Sequence, residues 1–166
     1  ELLSDMPVSY LGAQIEAGAE AVQLSDTWDG LLDRDAYREF VLPTHQAIVR
    51  RLERAGTPLI LYVNDGAHVV DLMMESGADV LSLDWRCEMS GAARLAGRRA
   101  SVQGNLDPCA LAAPAPEIER RVRAIAEAAR GARGHVLNLG HGCLPDTPVD
   151  GVRAFVAAAK RLGTPP

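Results

Sequence analysis

Leu137-Asn138-Leu139-Gly140-His141-Gly142 holds two signals in six residues: an apolar strand runs to its end, and a histidine stands between two glycines just beyond it. Glycine on either side lets backbone and ligand come close, and imidazole is one of the few side chains that titrates near neutral pH. His141 is therefore the lead candidate for a catalytic residue. A tight turn with an incidental histidine would leave the same six letters, so the reading rests on what surrounds them.

Four more segments share this grammar of a short apolar run followed at once by polar or glycine residues. Ala21 to Leu24 runs into Ser25-Asp26-Thr27-Trp28-Asp29-Gly30, and Leu59 to Val63 runs into Asn64-Asp65-Gly66. Val80 to Leu83 meets Asp84-Trp85, and Ser101 to Gln103 meets Gly104-Asn105-Leu106-Asp107-Pro108. Helical patterns separate them, over Arg34 to Arg54, Ala67 to Ser76, Ser90 to Ala96, Pro116 to Arg130 and Asp150 to Leu162, with a further one over Leu2 to Ala17. Strand and helix thus alternate five times, which predicts βα units, a parallel sheet and right-handed crossovers. Parallel strands are covered on both faces, hence the unbroken apolar runs.

The turns that precede the strands are built differently. Ala17-Gly18-Ala19-Glu20, Ala55-Gly56-Thr57-Pro58, Ser76-Gly77-Ala78-Asp79 and Gly131-Ala132-Arg133-Gly134 are helix stops with glycine at or near the C-cap. In a (β/α) barrel of the TIM type the loops after the strands form the active face and those before them the stability face. Function is thereby assigned to Asp26, Thr27, Asn64, Asp84, Asn105, Asp107 and His141. Structural work is also expected of some: Asp107 before Pro108 reads as a helix N-cap, and Asp84 as a group that bonds backbone amides.

A chain of 166 residues, 48% of them hydrophobic, is long enough for a sizeable core and reads as a single domain over 1–166. A full eight-unit barrel takes roughly 250 residues. Five units therefore describe a partial α/β barrel, and the start at Glu1 suggests the C-terminal part of a longer protein. No signal peptide and no apolar run of about 18 residues is seen, so a cytoplasmic location and no membrane partner are expected. A net charge of −5 argues against nucleic acid, and the arginines are dispersed over helix faces. No phosphate-binding glycine loop is present. Cys87, Cys109 and Cys143 form no CxxC pair, which speaks against a disulfide framework or closed zinc site, although Cys143 lies two residues after His141. His45, His68 and His135 are read as ordinary surface or core residues.

Taken together, several pieces of the chain resemble the uroporphyrinogen decarboxylase family, the cofactor-free decarboxylases of haem biosynthesis. They are Asn138 to Gly142 with Pro145 and Thr147-Pro148, Gln103 to Pro108, Gly77-Ala78-Asp79 with Leu83-Asp84-Trp85, Asp26-Thr27-Trp28 with Gly30, and Tyr37 to Phe40 followed by Leu42-Pro43. They span nearly the whole chain in the family's order, and match its C-terminal portion.

The resemblance implies a barrel that removes carbon dioxide from the four acetate side chains of uroporphyrinogen, giving coproporphyrinogen, with no metal or organic cofactor and as a homodimer. It assigns substrate binding to Thr27 and His141, with His141 also placed to assist proton transfer. The family's arginine-rich segment, its pyrrole-holding aspartate and its substrate-binding tyrosine belong to an N-terminal part not found in this sequence, so the chain alone is expected to be inactive. Two other readings stand beside this one. A zinc- and cobalamin-linked methyltransferase of the same superfamily would carry His-x-Cys at the end of the second strand, where this chain has Tyr62-Val63-Asn64-Asp65. A non-catalytic partial barrel would serve only as a folding or assembly unit.

Overall fold

A computed structural model describes residues 2–163. They divide into two compact units, one ending at Ser82 and the other beginning at Leu83.

In the first unit, α1 (Leu2–Glu16) leads into β1 (Val22–Asp26), β2 (Leu59–Val63) and β3 (Val80–Ser82), which lie in the order β1-β2-β3. Both pairings are parallel, with Val22 opposite Leu59 and Ile60 opposite Val80. The crossover from β1 to β2 is helical from Arg34, and passes through a π-helical turn (Tyr37–Val41) into α2 (Leu42–Arg51). The pattern predicts this helix as far as Arg54, but the chain turns extended at Leu52. That residue is needed elsewhere, because Leu52 packs with Leu11, Val22 and Leu59 in the apolar core of the unit. A short helix, α3 (Val70–Glu75), returns the chain to β3.

The second unit contains α4 (Met89–Ala96), β4 (Ser101–Gln103), α5 (Ala115–Ala128), β5 (His135–Val136) and α6 (Val149–Gly163). β4 and β5 pair in parallel. Its core gathers Leu106, Leu111, Ile118, Val122 and Ala158, with Phe155 packed against them. As expected, Asp107 caps a 3-10 turn (Pro108–Ala112), its carboxylate accepting from the Cys109 amide at 2.9 Å.

The last strand departs from the pattern. Its ladder covers His135 and Val136, and beyond it only Leu139 bridges to Leu106. The reason lies in the partner: Gly104 takes a φ of 119°, so β4 leaves the regular ladder immediately after Gln103. Contact resumes when Leu106 donates to the Asn138 carbonyl and Gly140 to the Leu106 carbonyl. His135 is thus a strand residue, with Nε2 2.7 Å from the Gly104 carbonyl. Among the described residues no helix is long and apolar enough to cross a membrane.

Candidate active site

In the first unit the end of β1 builds its own loop. Asp26 Oδ1 accepts from the amides of Trp28 at 3.3 Å and Asp29 at 3.1 Å, a local turn that carboxylates form readily. The turn lifts Thr27 and Trp28 into solvent; both are exposed, Trp28 by 73%. On the neighbouring strand end, the Asn64 amide donates to the Asp26 carbonyl, and Asn64 Oδ1 accepts from the Tyr62 hydroxyl at 3.2 Å.

Behind this loop stands a histidine that the sequence reading treated as ordinary. His45, on α2, is buried, with Nε2 3.2 Å from Asp26 Oδ2 and Nδ1 3.2 Å from the hydroxyl of fully buried Tyr37. A signal existed: Tyr37, Val41, His45 and Ile48 recur at helical spacing, and each is buried. A histidine inside an apolar stripe needs a polar partner, and the nearest strand-end carboxylate is that partner.

The Asp26 carboxyl is pulled two ways. Burial raises its pKa, but hydrogen bonds from His45 and Asp29 outweigh burial and hold it at about 2. Asp29 goes the other way: burial, then the adjoining Asp26 carboxylate, push it up to about 7. Between the two values the pair therefore holds one proton, which leaves as pH rises through about 7. Asp26, Asp29 and His45 each bring a ligand atom within 4.8 Å of the others, which makes them the residues that could hold a cation among those described. Here Asp26 and His45 already satisfy one another. All three border a cavity of about 410 Å³ whose apolar wall includes Leu32, Val41 and Ile48.

The second unit assembles Asp84, Asn105 and His141. The Asp84 side chain is fully buried. Its Oδ1 accepts from the Arg86 amide at 2.7 Å, as a backbone-bonding role predicts, while Oδ2 accepts no hydrogen bond among the described residues. Asn105, also buried, donates from Nδ2 to the carbonyls of Asp84 at 2.9 Å and Cys87 at 2.8 Å, which fixes the loop after β3. Arg86 extends from that loop with its Nη1 3.6 Å from Asp84 Oδ2 and its guanidinium 4.1 Å from the centre of the Trp85 ring.

His141 is exposed, and its ring lies 6.2 Å from that of Trp85, centre to centre. What brings it there is Gly140: a Cβ on that residue would come within 2.3 Å of the Trp85 nitrogen. Gly142 has open space around it. Cys143 and Cys109 are exposed, whereas burial pushes the Cys87 thiol up to about 11, away from the range of a reactive thiolate.

A family model described as uroporphyrinogen decarboxylase (URO-D) matches residues 1–162. A uroporphyrinogen decarboxylase of Gloeobacter violaceus is 45% identical over 161 residues, which is 96% of this chain and 46% of that protein. One from Pelobacter propionicus is 40% identical over 162 residues, 98% of this chain and 48% of that protein. The chain thus spans about half the length of the relatives it matches. Among solved structures, a methyltransferase from Methanosarcina mazei superposes with a TM-score of 0.80 over 97% of this chain and 48% of its own, at 24% identity. A B12-independent methionine synthase from a Shewanella species gives 0.68 over 97% of this chain and 55% of its own, at 12% identity. These likenesses show the fold, a part of a TIM-type α/β barrel, and with the family match over nearly the whole length they place this chain in the uroporphyrinogen decarboxylase family.

Proposed function

We propose that residues 1–166 act as one domain forming the C-terminal part of an enzyme that decarboxylates the four acetate side chains of uroporphyrinogen III to coproporphyrinogen III. The observation that carries this reading is the family match over residues 1–162, with relatives of that name at 45% and 40% identity. Each acetate loses its carbon dioxide once the adjoining pyrrole carbon is protonated, because the positively charged ring then accepts the electron pair of the breaking carbon–carbon bond. A proton added to the exocyclic methylene completes the methyl group, and the ring proton leaves. The ring itself is the electron sink, so no metal or organic cofactor is assigned. In this scheme the exposed His141 hydrogen-bonds a substrate carboxylate and assists proton transfer, a role suited to imidazole. Thr27, presented by the Asp26 turn, orients the substrate. The working protein is proposed to be a cytoplasmic homodimer that binds a small molecule, with neither nucleic acid nor membrane as partner.

His141→Ala in the full-length protein tests this. Turnover of uroporphyrinogen is expected to fall by about 10² to 10⁴-fold, the usual contribution of such a group. Melting should stay within about 0.5 kcal/mol of the parent, as for other exposed positions. Unchanged turnover in the variant would refute the assignment of His141, and a parent with no turnover would refute the activity itself.

A further inference from the structure

The histidine at the centre of the proposed site brings little packing of its own. Residues 141–146 are all exposed, and nothing lies within 4 Å of where a Cβ on Gly142 would stand. An exposed side chain visits several rotamers, and each one that does not face the substrate is lost to the reaction. Against the His141 ring lies Trp85, 6.2 Å away between ring centres, with the two planes inclined at 35°. Ring pairs attract at centre separations of about 4.5–7 Å, so the indole offers the imidazole a preferred place.

Trp85 itself is firmly held. It belongs to the loop after β3, and Asn105 ties that loop on both sides of it, donating from Nδ2 to the carbonyls of Asp84 at 2.9 Å and Cys87 at 2.8 Å. The Cys87 amide closes the turn by donating to the Asp84 carbonyl at 3.2 Å, and the fully buried Asp84 carboxylate accepts from the Arg86 amide at 2.7 Å. Asn105 is only 6% exposed, so the anchor is part of the core. The histidine's own loop is brought to the same residue through its backbone. Gly140 is buried, its amide donates to the Leu106 carbonyl at 2.7 Å, and a Cβ on it would lie 2.3 Å from the Trp85 nitrogen. The backbone at 140 and the ring at 141 thus both register on Trp85.

We propose that Trp85 is a positioning residue for His141: its ring holds the imidazole in the orientation that meets a substrate carboxylate, and Asn105 holds Trp85 in place. The inference rests on the decarboxylase reading and deepens it by naming what orients the histidine of that site. Trp85 takes no part in the chemistry itself; its effect on turnover runs through His141.

A double-mutant cycle in the full-length protein, with uroporphyrinogen as substrate, supplies the test: Trp85→Leu, Trp85→Phe, His141→Ala and the two combinations. Trp85→Leu is expected to lower kcat/KM on the order of 10 to 100-fold, as when a catalytic group is misplaced by about 1 Å. Trp85→Phe keeps an aromatic face and should stay within about threefold of the parent. In the His141→Ala background both substitutions should cost about twofold or less, because the group they position is gone. The Arg86 guanidinium lies 4.1 Å from the centre of the same ring, so this comparison is what isolates the histidine. Full turnover in Trp85→Leu overturns the proposal, and so does a phenylalanine variant as poor as the leucine one. A loss of the same size with and without His141 overturns it too, since a structural defect or an independent contact lowers both backgrounds alike. If Trp85→Leu does not fold, Trp85→Met takes its place in the cycle under the same outcomes. A parent protein without turnover of uroporphyrinogen overturns the decarboxylase reading, whereas an active parent with an additive cycle overturns this inference alone.

Discussion

Gly140→Ala should damage the protein, and Gly142→Ala should not, although the two glycines flank His141 symmetrically in sequence. A Cβ at 140 would lie 2.3 Å from the Trp85 nitrogen and 2.9 Å from both the Asp84 carbonyl carbon and the Trp85 Cα, where ordinary contact begins at 3.4 Å. One segment must therefore retreat by about 1 Å. Every atom in its way is backbone, so no side-chain rotation relieves the clash. Retreat on the 140 side is resisted by the Gly140 amide, which donates to the Leu106 carbonyl at 2.7 Å, and by the Leu139–Leu106 bridge. Retreat on the other side disturbs the loop that buries Asp84. Overpacking of this kind costs about 1–3 kcal/mol, and each kcal/mol lowers the melting temperature by about 2–4 °C in proteins of 150–250 residues. At Gly142 nothing lies within 4 Å, so its alanine variant should melt within about 0.5 kcal/mol of the parent. Thermal melts followed by circular dichroism, with turnover measured beside them, make the comparison. If Gly140→Ala melts with the parent, or if both variants fall equally, the close approach to Trp85 is not what requires glycine.

Asp29 should make stability fall as pH rises. Its folded pKa of about 7 lies above its ordinary 3.8, so the stabilising proton is held at low pH and lost on rising through about 7. In urea titrations Asp29→Asn should gain on the parent progressively from pH 4 to about pH 7, and a constant gap would remove Asp29 as the cause; its partner Asp26, held at about 2, stays ionised over this range. His45→Ala strips Tyr37 and Asp26 of their shared imidazole, and should cost about 1–3 kcal/mol through poorly satisfied buried polar groups. A urea midpoint equal to the parent's would argue that neither hydrogen bond contributes.

The five βα units could be read from sequence because each strand region is a short, mostly apolar segment followed at once by polar or glycine residues, and a glycine follows each helical pattern. β2 was delimited to the residue, Leu59–Val63. β1 extends to Asp26, two residues past its apolar run, since backbone pairing with β2 continues whatever the side chains are. β5 was misplaced because its limits are set by Gly104 on another strand, a conformation invisible in the Leu137–Leu139 run. The candidate site divides in the same way. Asp26, Asn64, Asp84, Asn105 and His141 were legible as residues that follow strands. His45 was not, because its place depends on which strand end the helix packs against.

The π-helical turn Tyr37–Val41 also sets an angular phase. Tyr37 and His45 are eight residues apart, which in an uninterrupted α-helix would leave them about 80° apart around the axis, at about 100° per residue. A turn that admits an extra residue winds more slowly and recovers part of that angle, so that phenol and imidazole meet at 3.2 Å. Chain length between the two residues is thus as much a part of the network as their identity. Inserting one residue between Leu42 and His45 would add about 100° of winding and leave every named side chain in the sequence, yet it would swing His45 away from either Tyr37 or Asp26. In this segment a gap in an alignment would be a change of chemistry.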